Sequence, residues 1–417
     1  MTKTPIAVLA QPFDGVLPPY QNSVGIYSYE IAQRLAEDFE VHVIIPYVNG
    51  RDKIEQINGG HFHYLSLKPD NYLQRLYRKL FGNNALEDFS HNYYHLAYVI
   101  QAAFIIRKYH CKIVHTYNFS QFPRILKLIN PNLKALVNMR CEWLSQLPHK
   151  QLAKQLESID SIVGCSEYIT EKAASRFPDS DTAFDTIHIG FDTERFAYNH
   201  EIAKNDKNTV LFVGRISPEK GVHTLIEAFA IAKRSNPALK LCLVGSHGQL
   251  RSSLLVDLAD DPRVTALKRF YQTGSSSEYI DHLKGLITQH QLEDSVELTG
   301  TVPYDEVVAY QSRSLVLVNP SLSEAFGRGP VEAMCVGLPV ILTRIGGHPE
   351  LIGENQDLGF LVEPEQANEM AEAILTLSQN KELRIKFAKG SRQRAEQLFS
   401  WNNISKNLKA HYQSMLA

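Results

Sequence analysis

The 417-residue sequence contains no C-x-x-C pair. Its five cysteines, Cys111, Cys141, Cys165, Cys242 and Cys335, are scattered and odd in number, which argues against a zinc ribbon and a disulfide-stapled module and suits a reducing compartment. Charge of one sign is also missing. Lys plus Arg total 43 against 45 Asp plus Glu, a net charge of -2, so the basic excess of a duplex-binding protein is absent and nucleic acid is not an expected partner. No run reaches 18 apolar residues, and Ile6–Ala10 meets Gln11 and Asp14 too soon to serve as a signal-peptide core. The expectation is a cytoplasmic protein, with peripheral contact at the inner face of the cell membrane left open. Three chemical signatures are missing as well: a completed G-x-G-x-x-G after a strand, a G-x-S-x-G nucleophile elbow and a G-x-x-x-x-G-K-[ST] loop.

What remains is a globular composition, 44% apolar and 21% charged, on a chain long enough for two domains or three. Short apolar runs alternate with amphipathic segments. In the first half, strands are expected at Ile6–Ala10, Val41–Pro46, Lys112–His115, Lys134–Met139 and Ser161–Gly164, with a helix over Gly25–Asp38. The second half repeats the pattern at Thr209–Gly214, Lys240–Gly245, Val296–Thr299, Leu315–Asn319, Pro339–Thr343 and Gly359–Val362, with a helix from about Gly221 to Arg234. Apolar strands separated by helices indicate mostly parallel sheets covered on both faces, hence two α/β domains. The seam is expected in the charged, Asn-rich stretch Asp192–Asn208, and about Lys381–Ala417 reads as helices. Open parallel sheets bind ligands beyond the carboxyl ends of their strands, so the residues after each strand carry the functional argument.

The first such constellation is Leu211-Phe-Val-Gly-Arg-Ile-Ser-Pro-Glu-Lys-Gly221. Arg215 follows the strand and Lys220 precedes the next helix, a placement suited to holding a diphosphate. A pair of surface cations, with Lys220 bonded to Glu219 or a neighbour, fits the same spacing. The second is Asn319-Pro-Ser-Leu-Ser-Glu-Ala-Phe-Gly-Arg-Gly-Pro-Val-Glu-Ala-Met334. Here Pro330 is expected in the first turn of a helix, Glu332 in that same turn, and Gly337 at its end. Glu324 in the loop and Glu332 on the helix can flank one polyhydroxylated ligand. Equally, Glu332 compensates the helix dipole and Glu324 is a solvated loop charge. A third feature is Thr343-Arg-Ile-Gly-Gly-His-Pro-Glu350, where Gly346-Gly347 either admits a ligand close to the backbone or makes a simple tight turn. The D-x-D form of Asp179-Ser-Asp181 and the pair His61-Phe-His63 are poor metal candidates, the second because no third ligand is evident.

Taken in order, these segments resemble the family 4 retaining glycosyltransferases. Gly214-Arg-Ile-Ser-Pro-Glu-Lys-Gly221 looks like their diphosphate-binding segment. Glu324-x7-Glu332, with Ala333-Met334-x-x-Gly337-Leu-Pro-Val340 and Gly346-Gly347-x-x-Glu350, resembles their most specific signature. Ile189-Gly-Phe-Asp192 with Phe196 is similar to the segment that enters their second domain. The resemblance implies the GT-B fold: two facing Rossmann-like domains, a donor-binding cleft and a last helix, here about Trp401–Ala417, that crosses back to the first domain. It implies an acceptor-side domain of residues 1–192 plus 401–417 and a donor-binding domain of residues 193–400. It implies that Arg215 and Lys220 bind the donor phosphates, that Glu332 binds the nucleotide ribose, and that Glu324 contacts the transferred sugar beside backbone N–H groups of Phe326 and Gly327. Gly214 belongs to the same donor segment. The family needs no metal and no cofactor beyond the nucleotide-diphosphate sugar, which is its donor substrate.

The first half departs from the family pattern. In Pro18-Pro-Tyr-Gln-Asn-Ser-Val-Gly25, Asn22-Ser23 replaces a glycine pair near the donor phosphates, although Gly25 remains. Arg140 stands where relatives often carry a histidine, and His115 matches a common family histidine or a structural one. Asp70–Asn83 reads as an amphipathic basic helix, with Leu73, Leu76, Tyr77 and Leu80 on one side, that either packs as a lid or touches anionic lipid. Arg269–Asp281 reads as an outer loop. The expected function is transfer of a hexose-type sugar to a saccharide or lipid-linked saccharide, a common family use being envelope or exopolysaccharide synthesis. A small-molecule acceptor and a catalytically silent sugar-nucleotide-binding scaffold are the alternatives. The oligomeric state is not set by these residues.

Overall fold

The computed structural model describes residues 3–19, 21–48, 50–81, 88–91, 94–197, 208–248, 251–272 and 277–417. Most of the expected seam, residues 198–207, lies outside the described residues. So do Gly82 and Asn83 of the basic helix, the side chains of Tyr77, Arg78 and Leu80, and Thr273, Gly274, Ser275 and Ser276 of the outer loop. The chain divides into two units, Met1–Gly190 with Trp401–Ala417, and Phe191–Ser400.

Eight strands form the sheet of the first unit: β1 (Thr4–Leu9), β2 (Phe39–Pro46), β3 (Ile54–Ile57), β4 (Gly60–Leu65), β5 (Ile113–Tyr117), β6 (Lys134–Met139), β7 (Ser161–Gly164) and β8 (Ala183–Thr186). Their order is β3-β4-β2-β1-β5-β6-β7-β8, and only the β3–β4 pair is antiparallel. All five residues of β5 are buried, as a parallel strand covered on both faces requires. The chain winds outward from β1 to β4, then returns to β5 on the other side of β1, so the winding reverses between β1 and β5.

Helix Trp401–Leu416 packs on this unit. Trp401 meets Tyr27 at 5.5 Å and lies under the Arg34 guanidinium, while Lys409 pairs with Asp38 at 2.6 Å. The expected basic helix spans Lys68–Phe81. Its start is fixed by buried Asp70, which accepts the Ala97 N–H at 2.9 Å, while Tyr72, Leu73 and Leu76 are exposed. Among the described residues no helix is long and apolar enough to cross a membrane.

The second unit has six parallel strands: β9 (Thr209–Val213), β10 (Lys240–Val244), β11 (Val296–Gly300), β12 (Val316–Asn319), β13 (Val340–Thr343) and β14 (Phe360–Val362). The order β11-β10-β9-β12-β13-β14 is that of a doubly wound dinucleotide-binding sheet, with its switch point between β9 and β12. Val210 and Phe212 of β9 and Val316 and Val318 of β12 join Leu225 and Phe229 of helix Val222–Ser235 and Ile374 of helix Ala367–Gln379 in one core. Two Rossmann-like α/β domains are the architecture that the resemblance to the GT-B fold implies.

Candidate functional site

The first two constellations follow β9 and β12, so they flank the switch point of the second sheet. After β9 the chain passes Gly214 and Arg215 into a short turn, Pro218–Lys220, that feeds helix Val222–Ser235. Arg215 donates through Nη2 to Glu219 at 2.7 Å and through Nε to Ser217 at 3.2 Å, and the Ser217 hydroxyl donates to Glu219 at 2.6 Å. Glu219 is therefore the partner of Arg215 rather than of Lys220. Lys220 reaches instead across 104 positions of sequence to Glu324, Nζ to Oε2 at 2.7 Å, with each side chain 18% exposed. The loops are also joined through their backbones, since the Leu322 N–H donates to the Glu219 carbonyl at 2.8 Å.

Glu324 is thus not a solvated loop charge. Burial pushes its carboxyl up, but Lys220, His348 and Arg215 outweigh burial and hold it below the usual carboxylate range. The Gly346-Gly347 turn that follows β13 packs against this loop. A Cβ on Gly346 would lie 1.8 Å from the Glu324 carbonyl oxygen, and the Gly347 N–H points at the same oxygen at 3.4 Å. Gly346 therefore makes room for protein backbone. His348 is fully buried beneath the loop, with Nδ1 2.9 Å from the Thr343 carbonyl, so that nitrogen carries the proton. Burial lowers its pKa to about 4, which leaves the ring neutral at neutral pH.

The helix carrying Glu332 spans Arg328–Val336 and begins two residues earlier than Pro330 alone indicates. Glu332 consequently sits in its second turn, and no acidic residue occupies the first turn, so dipole compensation does not account for it. Gly337 does end the helix. Glu332, only 4% exposed, accepts from Arg328 Nη2 at 2.9 Å, Arg328 Nε at 3.2 Å and the Tyr304 hydroxyl at 2.8 Å. Burial lowers the Arg328 pKa, but Tyr304 and Glu332 together more than reverse it and hold the guanidinium above its ordinary value. Phe326 is buried between Phe191, stacked at 6.3 Å, and Phe399, edge-on at 5.4 Å, and Gly327 begins the helix. Arg328 and Tyr304 were not expected. The i,i+4 spacing of Arg328 and Glu332 is the signal in the sequence that points to their pairing.

The two remaining site residues belong to the first unit. His115 lies within β5, fully buried, with Nδ1 2.7 Å from the Tyr412 hydroxyl of the last helix. Burial drives its pKa well below the histidine range, and these surroundings favour its reading as a structural histidine. The Gly25 N–H is taken by Asn22 Oδ1 at 2.7 Å, which makes Asn22 the cap of helix Ser23–Leu35. Asn22 also donates to Asp14 at 2.9 Å, and Gln11, Asn118 and the Arg140 N–H continue the chain of bonds across the ends of β1, β5 and β6.

Asp14 was not expected to matter. Burial raises its carboxyl to about 6, despite the bonds from Asn22 and Gln11. A folded state that holds this proton more tightly than the unfolded chain draws stability from it in full below about pH 4 and loses that share as pH rises through about 6. Asp14→Asn should therefore flatten the pH profile of thermal stability between about pH 4 and about pH 7, read by scanning calorimetry. Profiles of parent and variant that run parallel would contradict this.

A cavity of about 890 Å³, lined in part by Lys134, Asp160, Asp179 and Asp181, opens at the amino ends of β6 to β8. It is in the first unit and has no residue in common with the constellations around the second switch point. Among the described residues no group of three or more His, Cys, Asp or Glu is placed to hold a metal ion.

Two family models match the chain in tandem: Glycosyltransferase Family 4 over residues 24–195 and Glycosyl transferases group 1 over residues 194–394. Spore coat protein SA of Bacillus subtilis is 24% identical over 410 residues, 94% of each chain. The putative glycosyltransferase YtcC of the same organism is 23% identical over 73% of each. Among solved structures, sucrose-phosphate synthase of Thermosynechococcus elongatus superposes with a TM-score of 0.75 at 21% identity, covering 99% of each chain. Anabaena HepE in complex with UDP and glucose gives 0.69 at 18% identity over 98% of this chain and all of its own.

Proposed function

We propose that this chain, a member of the glycosyltransferase superfamily of GT-B fold, is a retaining, metal-independent enzyme that moves a hexose-type sugar from a nucleotide-diphosphate sugar to a hydroxyl of a saccharide acceptor. The observation that carries the reading is the pairing of Lys220 with Glu324 beside Arg215, on two loops that flank the switch point of the second sheet. In this reading the second unit holds the donor and the first serves the acceptor.

Lys220 and Arg215 bind the diphosphate and offset the charge that grows on it as the leaving group departs. Glu324 accepts from hydroxyls of the transferred sugar, its ionised state kept by Lys220. Glu332 accepts from the nucleotide ribose. The anomeric carbon–phosphate oxygen bond breaks while the bond to the acceptor oxygen forms on the same face of the sugar. The acceptor proton passes to the departing diphosphate oxygen, so no separate protein base is needed. His115, closed inside β5, takes no part. The exposed Tyr72, Leu73 and Leu76 beside Arg75 and Lys79 support an acceptor carried at an anionic lipid surface.

Titration calorimetry with UDP, GDP and ADP is the first test, and UDP is the leading choice because HepE, alike in fold, is seen with it. One nucleotide is expected to bind, and Glu332→Ala to weaken it by about tenfold or more, the worth of a hydrogen bond to a charged group. Proton NMR of the product, with acceptors offered free and on anionic vesicles, then reads the anomeric configuration and the acceptor class. Binding of none of the three nucleotides, or an inverted product, would defeat the reading.

A further inference from the structure

Arg328 bonds unevenly. Its Nε and Nη2 both point at Oε1 of Glu332, and Nη2 also donates to the Tyr304 hydroxyl at 2.6 Å. The Tyr304 hydroxyl passes its own hydrogen to the same Oε1. Among the described residues, every bond to this carboxylate therefore falls on one oxygen, which three donors saturate. The other end of the guanidinium is different. Arg328 Nη1 is buried and has no hydrogen-bond partner among the described residues. Phe191 and Tyr304 lie beside the group, their ring centres 5.5 and 5.3 Å from its central carbon, and neither gives Nη1 an acceptor. A buried donor left unbonded is costly, and native proteins rarely keep one unless a ligand or water completes it.

We propose that Arg328 is a specificity-determining residue that, together with Glu332, reads the vicinal diol of the donor's ribose. With Oε1 saturated, Oε2 accepts one hydroxyl of the pair, and Nη1 of Arg328 donates to the oxygen of the other. An acceptor set beside a donor suits a cis-diol, because each hydroxyl can give one bond and take one. Tyr304 is the positioning residue, holding the carboxylate edge-on to the guanidinium. A ligand lacking either hydroxyl leaves one buried group unbonded. The site therefore discriminates ribonucleotides from deoxyribonucleotides, beyond binding a nucleotide. The inference rests on the assignment of Glu332 to the ribose made above.

The test is calorimetry on the full-length protein, with whichever of UDP, GDP and ADP binds best and with its 2′-deoxy and 3′-deoxy counterparts. The parent should favour the ribonucleotide over each deoxy form by about tenfold or more. Arg328→Met should lose the preference over the deoxy form that lacks the hydroxyl met by Nη1, and keep the preference over the other deoxy form, whose missing hydroxyl Oε2 of Glu332 reads. Arg328→Lys keeps the charge but not the fork, and is expected to lose most of that same single preference, which covers the case in which the Met variant fails to fold. Tyr304→Phe should fall between. If the Arg328 variants weaken every form by one common factor, so that both preferences survive, Arg328 only anchors the helix and the inference falls while the assignment of Glu332 stands. A parent that binds no nucleoside diphosphate defeats both.

Discussion

Lys220→Ala is expected to lower kcat/KM by about 10²- to 10³-fold, the usual loss when one group facing developing charge is removed from an active site. The ammonium lies 2.7 Å from Glu324, and both side chains are more than four-fifths covered, so water screens the pair poorly. Two losses coincide in the variant. The diphosphate loses a cation, and Glu324 loses the first of the charges that oppose burial, so its carboxyl pKa rises. Stability should change far less, because a partly exposed ion pair contributes about 1 kcal/mol or less. Melting temperature and steady-state transfer measured on one preparation separate the two effects. Lys220→Arg should recover only part of the rate, since a planar fork replaces a compact point charge. Turnover equal to the parent's would remove Lys220 from the donor site.

The contrast between the two sheets shows which parts of this chain can be read from its residues. Strands such as β12 and β13 are covered on both faces and appear in sequence as short apolar runs, Val-Leu-Val and Val-Ile-Leu. β3 and β8 escape notice because they are half-exposed edge strands, Ile-Glu-Gln-Ile and Ala-Phe-Asp-Thr, whose alternation covers too few residues to stand out. The loops after β9 and β12 are legible because an apolar strand, a polar loop and a helix start occur in order. The pairing of charges within them is not. Lys220 has Glu219 next to it in sequence, yet the turn Pro218–Lys220 sends the two side chains to different partners. Nor does any local pattern place Tyr304, 28 positions before Glu332, against that carboxylate. The raised pKa of Asp14 has the same origin, since burial of a loop acid is a tertiary property. Sequence order locates the site, and the choice of partners is made by packing.

Gly346→Ala should be nearly as damaging as loss of Lys220, although residue 346 carries no functional group. The new methyl would lie 1.8 Å from the Glu324 carbonyl oxygen, and Gly346 holds a φ of 49°, a left-handed conformation that alanine adopts at a cost. Something must move, and the obstacle is backbone, which cannot swing aside as a flexible side chain does. The Glu324 loop is expected to shift by about 1 Å, which can reduce turnover by about 10²-fold. Overpacking and backbone strain together should lower stability by about 2 to 4 kcal/mol. Gly353 is the control. It too has a positive φ, of 77°, but an added Cβ there meets nothing within 4 Å. Its ψ of 150° lies in a region that only glycine readily occupies, so Gly353→Ala should show a purely conformational cost of up to about 3 kcal/mol and keep the parent's rate. Nucleotide affinity adds a third readout, because the Glu332 cluster stands on the helix beyond the displaced loop. A Gly346→Ala protein that still binds the nucleoside diphosphate but transfers sugar poorly would place the damage at Glu324. A variant that keeps full turnover would show that the loop yields freely, and that its packing against the Gly346 turn does not hold the carboxylate in place.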